Sequence, residues 1–418
     1  MNQTMRRRLA LVFGFVFIEL LGYSLILPLL PYYAETFGAT LTAVGLLGTV
    51  NAFSQLLAAP VVGRLSDRYG RRPLLIFSIG GTVISFVVLG FARSLWMIFV
   101  SRALDGIFGG NIALARAYIT DVTDEKNRAP ALGIIGAAFG LGFIIGPAMG
   151  GFLSRYGFEV PAFVAAAISL INLVAVILWL PESLTEEARQ RLRTSPRTAF
   201  SLRALWDALH EPCCADLLQI RLLYSLAFTL FQSNFALWAK TRLGLTVQTT
   251  SYVLTYVGVL AVLVQGFAIA RLTSRFRERS LIVASTITLA FSLILWGVAP
   301  NVASLFVVLA PVALGGGLLN TLLTSQLTQA VRPEEVGGIL GLSTSLQTLA
   351  QIVSPGAGGA LLDRAGTWAP GVVGGAIMTW TAWLAWRRLL AKRPNASAPP
   401  VRDQRPDLQS QPGSSHEA

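Results

Sequence analysis

Gly63-Arg64-Leu65-Ser66-Asp67-Arg68-Tyr69-Gly70-Arg71-Arg72 stands between two long apolar runs. Five charges crowd into a turn too short to fold alone, and four of them are arginines. A turn of this kind between apolar runs is what a chain that crosses a bilayer needs, and arginines hold such turns on the cytoplasmic side. Gly63 and Gly70 allow tight turning and close helix approach. Asp67 is the one acid in the stretch, so solubility alone does not account for it.

The rest of the chain agrees. Of 418 residues, 54% are hydrophobic and 13% charged, against about a quarter charged in an ordinary soluble domain. Apolar runs long enough to span a bilayer recur at about 9–31, 41–62, 74–92, 95–119, 131–153, 161–180, 221–238, 249–270, 281–299, 304–330, 338–361 and 370–387. These predict an all-α membrane protein of twelve transmembrane helices. Most of the 33 Lys+Arg residues fall in alternate connections, which places both termini in the cytoplasm. The net charge of +12 is therefore read as orientation in a membrane and not as a nucleic-acid surface. Arg6-Arg7-Arg8 followed by Leu9 to Leu30 reads as a retained first helix, because its apolar part is long and contains Glu19.

Domain organisation follows from the polar break at 181–220. The expected layout is a first six-helix bundle over 1–180, a cytoplasmic linker over 181–220, a second bundle over 221–387 and a disordered tail over 388–418. The basic stretch Ala188 to Leu209 reads as an amphipathic helix on the inner face. The halves are pseudo-symmetric. Ala270 to Arg279 aligns with 63–72 at an offset of 207, Gly316-Gly317 with Gly109-Gly110 at 207, and Ser354 to Gly359 with Gly146 to Gly151 at 208. Ser274 stands where Asp67 stands, so only the first copy carries the acid.

Several residues carry chemistry. Glu19 sits mid-way along the first run, where a charge costs about 2.5–3.5 kcal/mol and normally faces a cavity or partner. It reads as a proton or substrate site, with a static helix-to-helix hydrogen bond as the bland alternative. Arg102 and Asp105 are i and i+3 on the fourth run and can pair, either to tune Glu19 or only to hold helices together. Asp105 is a second candidate proton carrier. Gly142, Gly146 and Gly150 stand four apart on the fifth run, with Pro147 and Gly151 beside them, forming one close-packing face. Pro147 is expected to bend that helix. Asn51, Gln55, Gln232, Asn234, Tyr256, Asn320 and Gln347 supply polar groups at membrane depth, to line a substrate cavity or to bridge helices. The second half has almost no charge at that depth. His210, Cys213 and Cys214 lack the spaced pairs of a zinc site, and no phosphate-binding Gly-rich loop is present, so neither metal nor cofactor is expected.

Taken together, Gly-x-x-x-Asp-Arg-x-Gly-Arg-Arg at 63–72, Arg-x-x-x-Gly at 102–106, and Gly-x-x-x-Gly-Pro-x-x-Gly-Gly at 142–151 resemble the motifs of the major facilitator superfamily. Arg116 to Asp124 and Glu19 to Pro31 look like its tetracycline-resistance and multidrug branch. The resemblance implies two six-helix bundles and proton-coupled export of amphipathic small molecules across the cell inner membrane. The protein would act as a monomer, without nucleic acid, on a small-molecule substrate and protons within the lipid bilayer. It also implies a conformational latch of Gly63, Asp67, Arg68, Gly70, Arg71 and Asp121. In that latch Asp67 caps the eleventh helix in the outward-facing state and Arg71 pairs with Asp121. Glu19, Arg102 and Asp105 would couple protons. Asp105 replaces the family's usual Gln, and the missing second-half acid departs from tetracycline exporters. The alternative cargo on the same fold is a sugar, an amino acid or an organic anion.

Overall fold

The computed structural model describes residues 3–123, 125–187, 189, 190, 214–332 and 335–391, the side chains of 3–8, 125–130, 132 and 134 excepted. Asp124, the amphipathic stretch from Ala188 to Leu209 apart from Arg189 and Gln190, His210, Cys213 and the tail beyond 391 lie outside the described residues. Among the described residues there are helices and turns and no strand.

The first half contains α1 (Gln3–Ile26), α2 (Leu30–Glu35), α3 (Leu41–Tyr69), α4 (Arg71–Gly90), α5 (Leu95–Phe108), α6 (Asn111–Val122), α7 (Glu125–Leu153) and α8 (Glu159–Trp179). The second contains α9 (Ala215–Leu243), α10 (Val247–Leu263), α11 (Ile269–Thr273), α12 (Glu278–Val298), α13 (Val302–Gln329), α14 (Val336–Arg364) and α15 (Ala369–Ala385). Among the described residues, ten segments are long and apolar enough to cross a membrane. The two other long helices, α9 and α15, differ in composition or length. The first carries Asp216, Arg221, Lys240 and Arg242, and the second has 17 residues before a π-helical turn at Trp386–Ala391.

Local chemistry sets the boundaries. Thr40 caps α3 by accepting from the Ala43 amide at 3.2 Å, Thr246 does the same for α10 from Thr249, and Asn301 with Ser304 forms a capping box at α13. Gly70, at φ +108°, makes the one-residue corner between α3 and α4. Three predicted spans are corrected. The first, expected to run to 31, stops at Ile26, and α2 restarts with Pro31 in its first turn. The fourth, expected unbroken over 95–119, is interrupted at Gly109-Gly110. The seventh begins at Ala215 and not 221, so Arg221 lies inside a helix. Pro147 does not break α7, which is continuous through it.

The halves meet mainly through two helix pairs, α3 with α14 and α7 with α10, with α9 also touching α2 and α3. Their contacts gather at the end opposite the 63–72 turn. There Thr49 Oγ1 donates to the Ile352 carbonyl at 2.7 Å, Thr42 to Asp363 at 2.8 Å, and Tyr32 Oη to the Leu245 carbonyl at 2.8 Å, while Lys240 pairs with Glu35. Gly45 lies against the Pro355 carbonyl, Gly359 against the Leu41 carbonyl and Gly151 against Ser251, so closely that no Cβ fits. At the basic end the reverse holds: a methyl group on Gly133, Gly136, Gly266, Gly337 or Gly341 would meet open space. The buried apolar clusters agree. One joins Tyr32, Val44 and Leu47 to Leu245, Val247 and Leu346 across the halves; the other, with Leu9, Leu75 and Tyr118, belongs to the first half alone. Among the described residues, the halves pack together at the far end and stand apart at the basic end.

Gly359→Leu therefore overpacks the closed end and lowers stability by about 1–3 kcal/mol, whereas Gly341→Leu at the splayed end leaves it unchanged. Thermal unfolding of the two variants in detergent checks this, and equal losses would contradict the asymmetry.

Candidate functional site

The break in the fourth span builds the centre of the first half. Ser78 Oγ takes the Phe108 carbonyl and Gln55 Nε2 donates to the Gly109 carbonyl at 2.8 Å. Side chains from α4 and α3 thus occupy carbonyls next to two glycines, and the helical ladder opens there. The chain restarts at Asn111, the first residue of α6. Asn111 Nδ2 donates to Glu19 Oε1 at 2.5 Å, and Thr82 Oγ1 reaches the same oxygen at 3.4 Å. Glu19 Oε2 and Asn111 Oδ1 are both buried without a hydrogen-bond partner among the described residues. Three helices and a helix break thus converge on one carboxyl group. Neither Thr82 nor Asn111 was singled out with Glu19 from sequence; the Gly-Gly pair before Asn111 is the signal that could have found it.

Arg102 and Asp105 form an ion pair at 3.4 Å and are both buried. Asn51 Nδ2 donates to Asp105 at 2.8 Å and to the Arg102 carbonyl at 3.1 Å. Gly106 is pressed against the Asn51 carbonyl, which brings α5 onto α3. Arg102 therefore turns to Asp105 and Ser101, and the hydrogen bonds of Glu19 go to Asn111 and Thr82.

Gly142, Gly146 and Gly150 form one face of α7 against Leu20, Ser24 and Leu25 of α1, and Ser24 Oγ donates to the Gly142 carbonyl at 2.7 Å. Gly151 faces the other way, toward Ser251 of α10 in the second half. The motif thus packs α7 at once against the Glu19 helix and across the molecular interface.

At the basic end Arg71 is buried at a junction. It lies 2.6 Å from Asp67 and 3.0 Å from Asp121, and donates to Ser66 Oγ at 2.6 Å. Glu182 accepts from the Arg71 amide at 2.9 Å and the Arg72 amide at 3.2 Å, so a carboxylate closes the N-terminus of α4. Ser183 Oγ also donates to Asp121 at 3.0 Å. Gly70 is wedged against Glu182 and Arg189, a second reason besides its φ for a glycine there. Glu182 and Ser183 went unnoticed in the sequence, although Pro181-Glu182-Ser183 directly follows an apolar run. Gly63 stands in open space one turn before this junction, and Arg68 stacks 5.4 Å over Tyr69.

The cavity candidates divide. Asn51 and Gln55 bridge α3 to the α5–α6 region, as above. Asn234 is buried between α9 and α14, where its amide donates to the Leu230 and Ser354 carbonyls and abuts Gly358. This corrects the expectation that it lines a hollow. Tyr256 is half-buried and donates to the Phe306 carbonyl at 3.3 Å. Gln232 is exposed, Gln347 half-buried, and Asn320 is exposed while accepting from Arg221 at 2.8 Å. That arginine was missed, because the seventh span was read as starting with it.

Removing the Glu182 carboxylate leaves the Arg71 and Arg72 amides and the Arg189 guanidinium without their acceptor, so Glu182→Ala costs about 1–2 kcal/mol. Asp121→Asn weakens the Arg71 junction by a comparable amount. Both are read as lowered unfolding temperature, with Glu186→Ala, at an exposed position, as the unchanged reference.

The sequence model of the Major Facilitator Superfamily matches residues 12–215 and 217–412. Among curated relatives, Multidrug resistance protein 2 of Bacillus subtilis (strain 168) is 28% identical over 83% of this chain and 87% of that protein. The class H tetracycline resistance protein of Pasteurella multocida is 29% identical over 84% and 88%. Among solved structures, the human organic anion transporter MFSD10 superposes with a TM-score of 0.70 at 22% identity, covering 92% of this chain and 100% of that one. The nucleoside transporter NupG gives 0.75 at 14% identity over 90% and 98%. At those identities the two structures share the fold. A family match along nearly the whole length, on a chain of long apolar helices, makes this protein a multi-pass membrane transporter of small molecules and not an enzyme: it belongs to the major facilitator superfamily.

Proposed function

We propose that the chain is a proton-coupled antiporter that exports amphipathic small molecules by alternating access. In this reading α9 and α15 also cross the bilayer. The chain then makes twelve spans in two six-helix bundles, over 1–180 and 215–387, joined by a cytoplasmic linker and followed by a cytoplasmic tail over 388–418. The second bundle starts at 215 because α9 does. The basic end faces the cytoplasm of a cell inner membrane, both termini with it, and the working unit is a monomer.

One observation carries the reading. Glu19 is a carboxyl group inside the helices, with one oxygen held by Asn111 and Thr82 and the other buried and unpartnered. A free carboxylate oxygen at a helix break is a place where a proton can be taken up and released. Acids at membrane depth are kept for such work. Arg102 and Asp105, locked to each other and to Asn51, set the field around it. A proton moving down the gradient supplies about 2.3 kcal/mol per 100 mV, enough for appreciable accumulation.

The splayed basic end supports alternating access. With the far end closed and the basic end open, the molecule has the form of a cytoplasm-facing state. In this state Asp67 pairs with Arg71 at 2.6 Å. The names of the multidrug and tetracycline relatives support amphipathic drugs as cargo.

In proteoliposomes under an imposed proton gradient, Glu19→Gln loses gradient-driven uptake of a cationic dye, and Asn111→Leu lowers it at least about tenfold, as expected of a group that shapes a proton site. Full retention by Glu19→Gln removes that residue from the mechanism.

A further inference from the structure

Two arginines are buried within the helices of this protein at 4% exposure each, and they are not equivalent. Arg102 has a carboxylate partner, Asp105. Arg221, two turns into α9, has none among the described residues. Its Nη1 donates to Asn320 Oδ1 at 2.8 Å, and its guanidinium lies 5.8 Å from the Tyr224 ring. Its Nε is fully buried with no hydrogen-bond partner. Two acids of the second half that are described are already engaged. Asp216 on the same helix pairs with Arg388, and Glu278 at the start of α12 accepts from Gln326 at 2.7 Å and from Ser325.

A guanidinium stays charged whatever its surroundings, so a buried one demands a counter-charge. Asn320, a neutral carbonyl, supplies a single hydrogen bond. The side edge of the guanidinium, Nε with the second Nη, is left open, and that edge matches the two oxygens of a carboxylate. Access comes through Asn320. It is exposed, together with Thr321, midway along an apolar helix that already packs on α9, α10, α12 and α14. An amide exposed at that depth is less costly against water between the bundles than against hydrocarbon.

We propose that Arg221 is an anion site of the second half, and that it takes the carboxylate of an amphipathic organic acid. Asn320 holds the guanidinium while the site is empty and yields as the carboxylate arrives. The proposal rests on the export reading above for its setting, but the residue and the ligand charge are independent of Glu19. An anionic lipid phosphate shares the same chemistry, and the test separates the two sources.

The experiment measures binding to the full chain in nanodiscs by tryptophan fluorescence. Three probes of one shape are compared: 2-naphthylacetate, its carboxamide and 2-naphthylethylammonium. Wild type binds the carboxylate about tenfold more tightly than the carboxamide, as a charge-assisted fork implies. Arg221→Gln abolishes that preference and leaves the affinity for the carboxamide and the ammonium probe as it was. Arg221→Lys, which keeps the charge and lacks the fork, restores less than half of the preference on a logarithmic scale. Asn320→Ala, which removes the competing acceptor and carries little risk to folding, keeps or strengthens it. Equal affinity of wild type for carboxylate and carboxamide overturns the proposal, as does a loss in Arg221→Gln shared by all three probes. Phosphatidylcholine discs are compared with discs containing phosphatidylglycerol. If Arg221→Gln changes only the dependence on phosphatidylglycerol, the occupant is lipid and the carboxylate assignment fails. If carboxylate selectivity tracks Arg221 while no probe is moved by a proton gradient, the site stands and the antiport reading falls.

Discussion

Hydrocarbon offers no hydrogen bonds, so each charge carried into the helices must find its partner within the protein. That constraint organises the molecule. Arg71 lies between Asp67 and Asp121, Arg102 lies against Asp105, and Glu19 is held by Asn111 and Thr82. Each arrangement joins two or more helices, so the polar groups that cost most to bury also fix where the helices lie. The break at Gly109-Gly110 follows from the same rule: carbonyls released from the ladder are taken by Ser78 and Gln55, and Asn111 is thereby turned to the acid.

Close packing supplies the second organising element. Without a hydrophobic drive between helices in lipid, small residues let backbones approach and van der Waals contact accumulate. Gly142, Gly146 and Gly150 seat α7 on α1, while Gly45, Gly359 and Gly151 close the far end across the two halves. Gly133, Gly136, Gly266, Gly337 and Gly341 toward the basic end have no such neighbours.

The two halves descend from one pattern but have been used differently. Gly109-Gly110 opens a helix, whereas the matching Gly316-Gly317 lies inside continuous α13. At Gly316 the carbonyl is shared with Tyr224 Oη, at 3.0 Å, without interrupting the ladder. The first half keeps its charges in balanced groups. The second holds one buried guanidinium whose protein partner is an amide. Correspondence of sequence between the halves therefore coexists with asymmetry of charge.

Much of this was legible in the sequence. Apolar run length against bilayer thickness gave the helices. The 63–72, 102–106 and 142–151 motifs gave the family. These are properties of composition and spacing, which one dimension records. The partner of each buried charge was not legible. Glu19 lies 92 positions from Asn111, Arg221 lies 99 from Asn320 and Arg71 lies 111 from Glu182. Such pairs exist only once helices pack. The division of the amides into bridges, such as Asn51 and Asn234, and exposed groups, such as Asn320 and Gln232, also depended on which face each helix turned to its neighbours. The sequence determined that charges would be buried and roughly at what depth; tertiary packing decided what each would meet, because only packing brings distant donors and acceptors within hydrogen-bond reach.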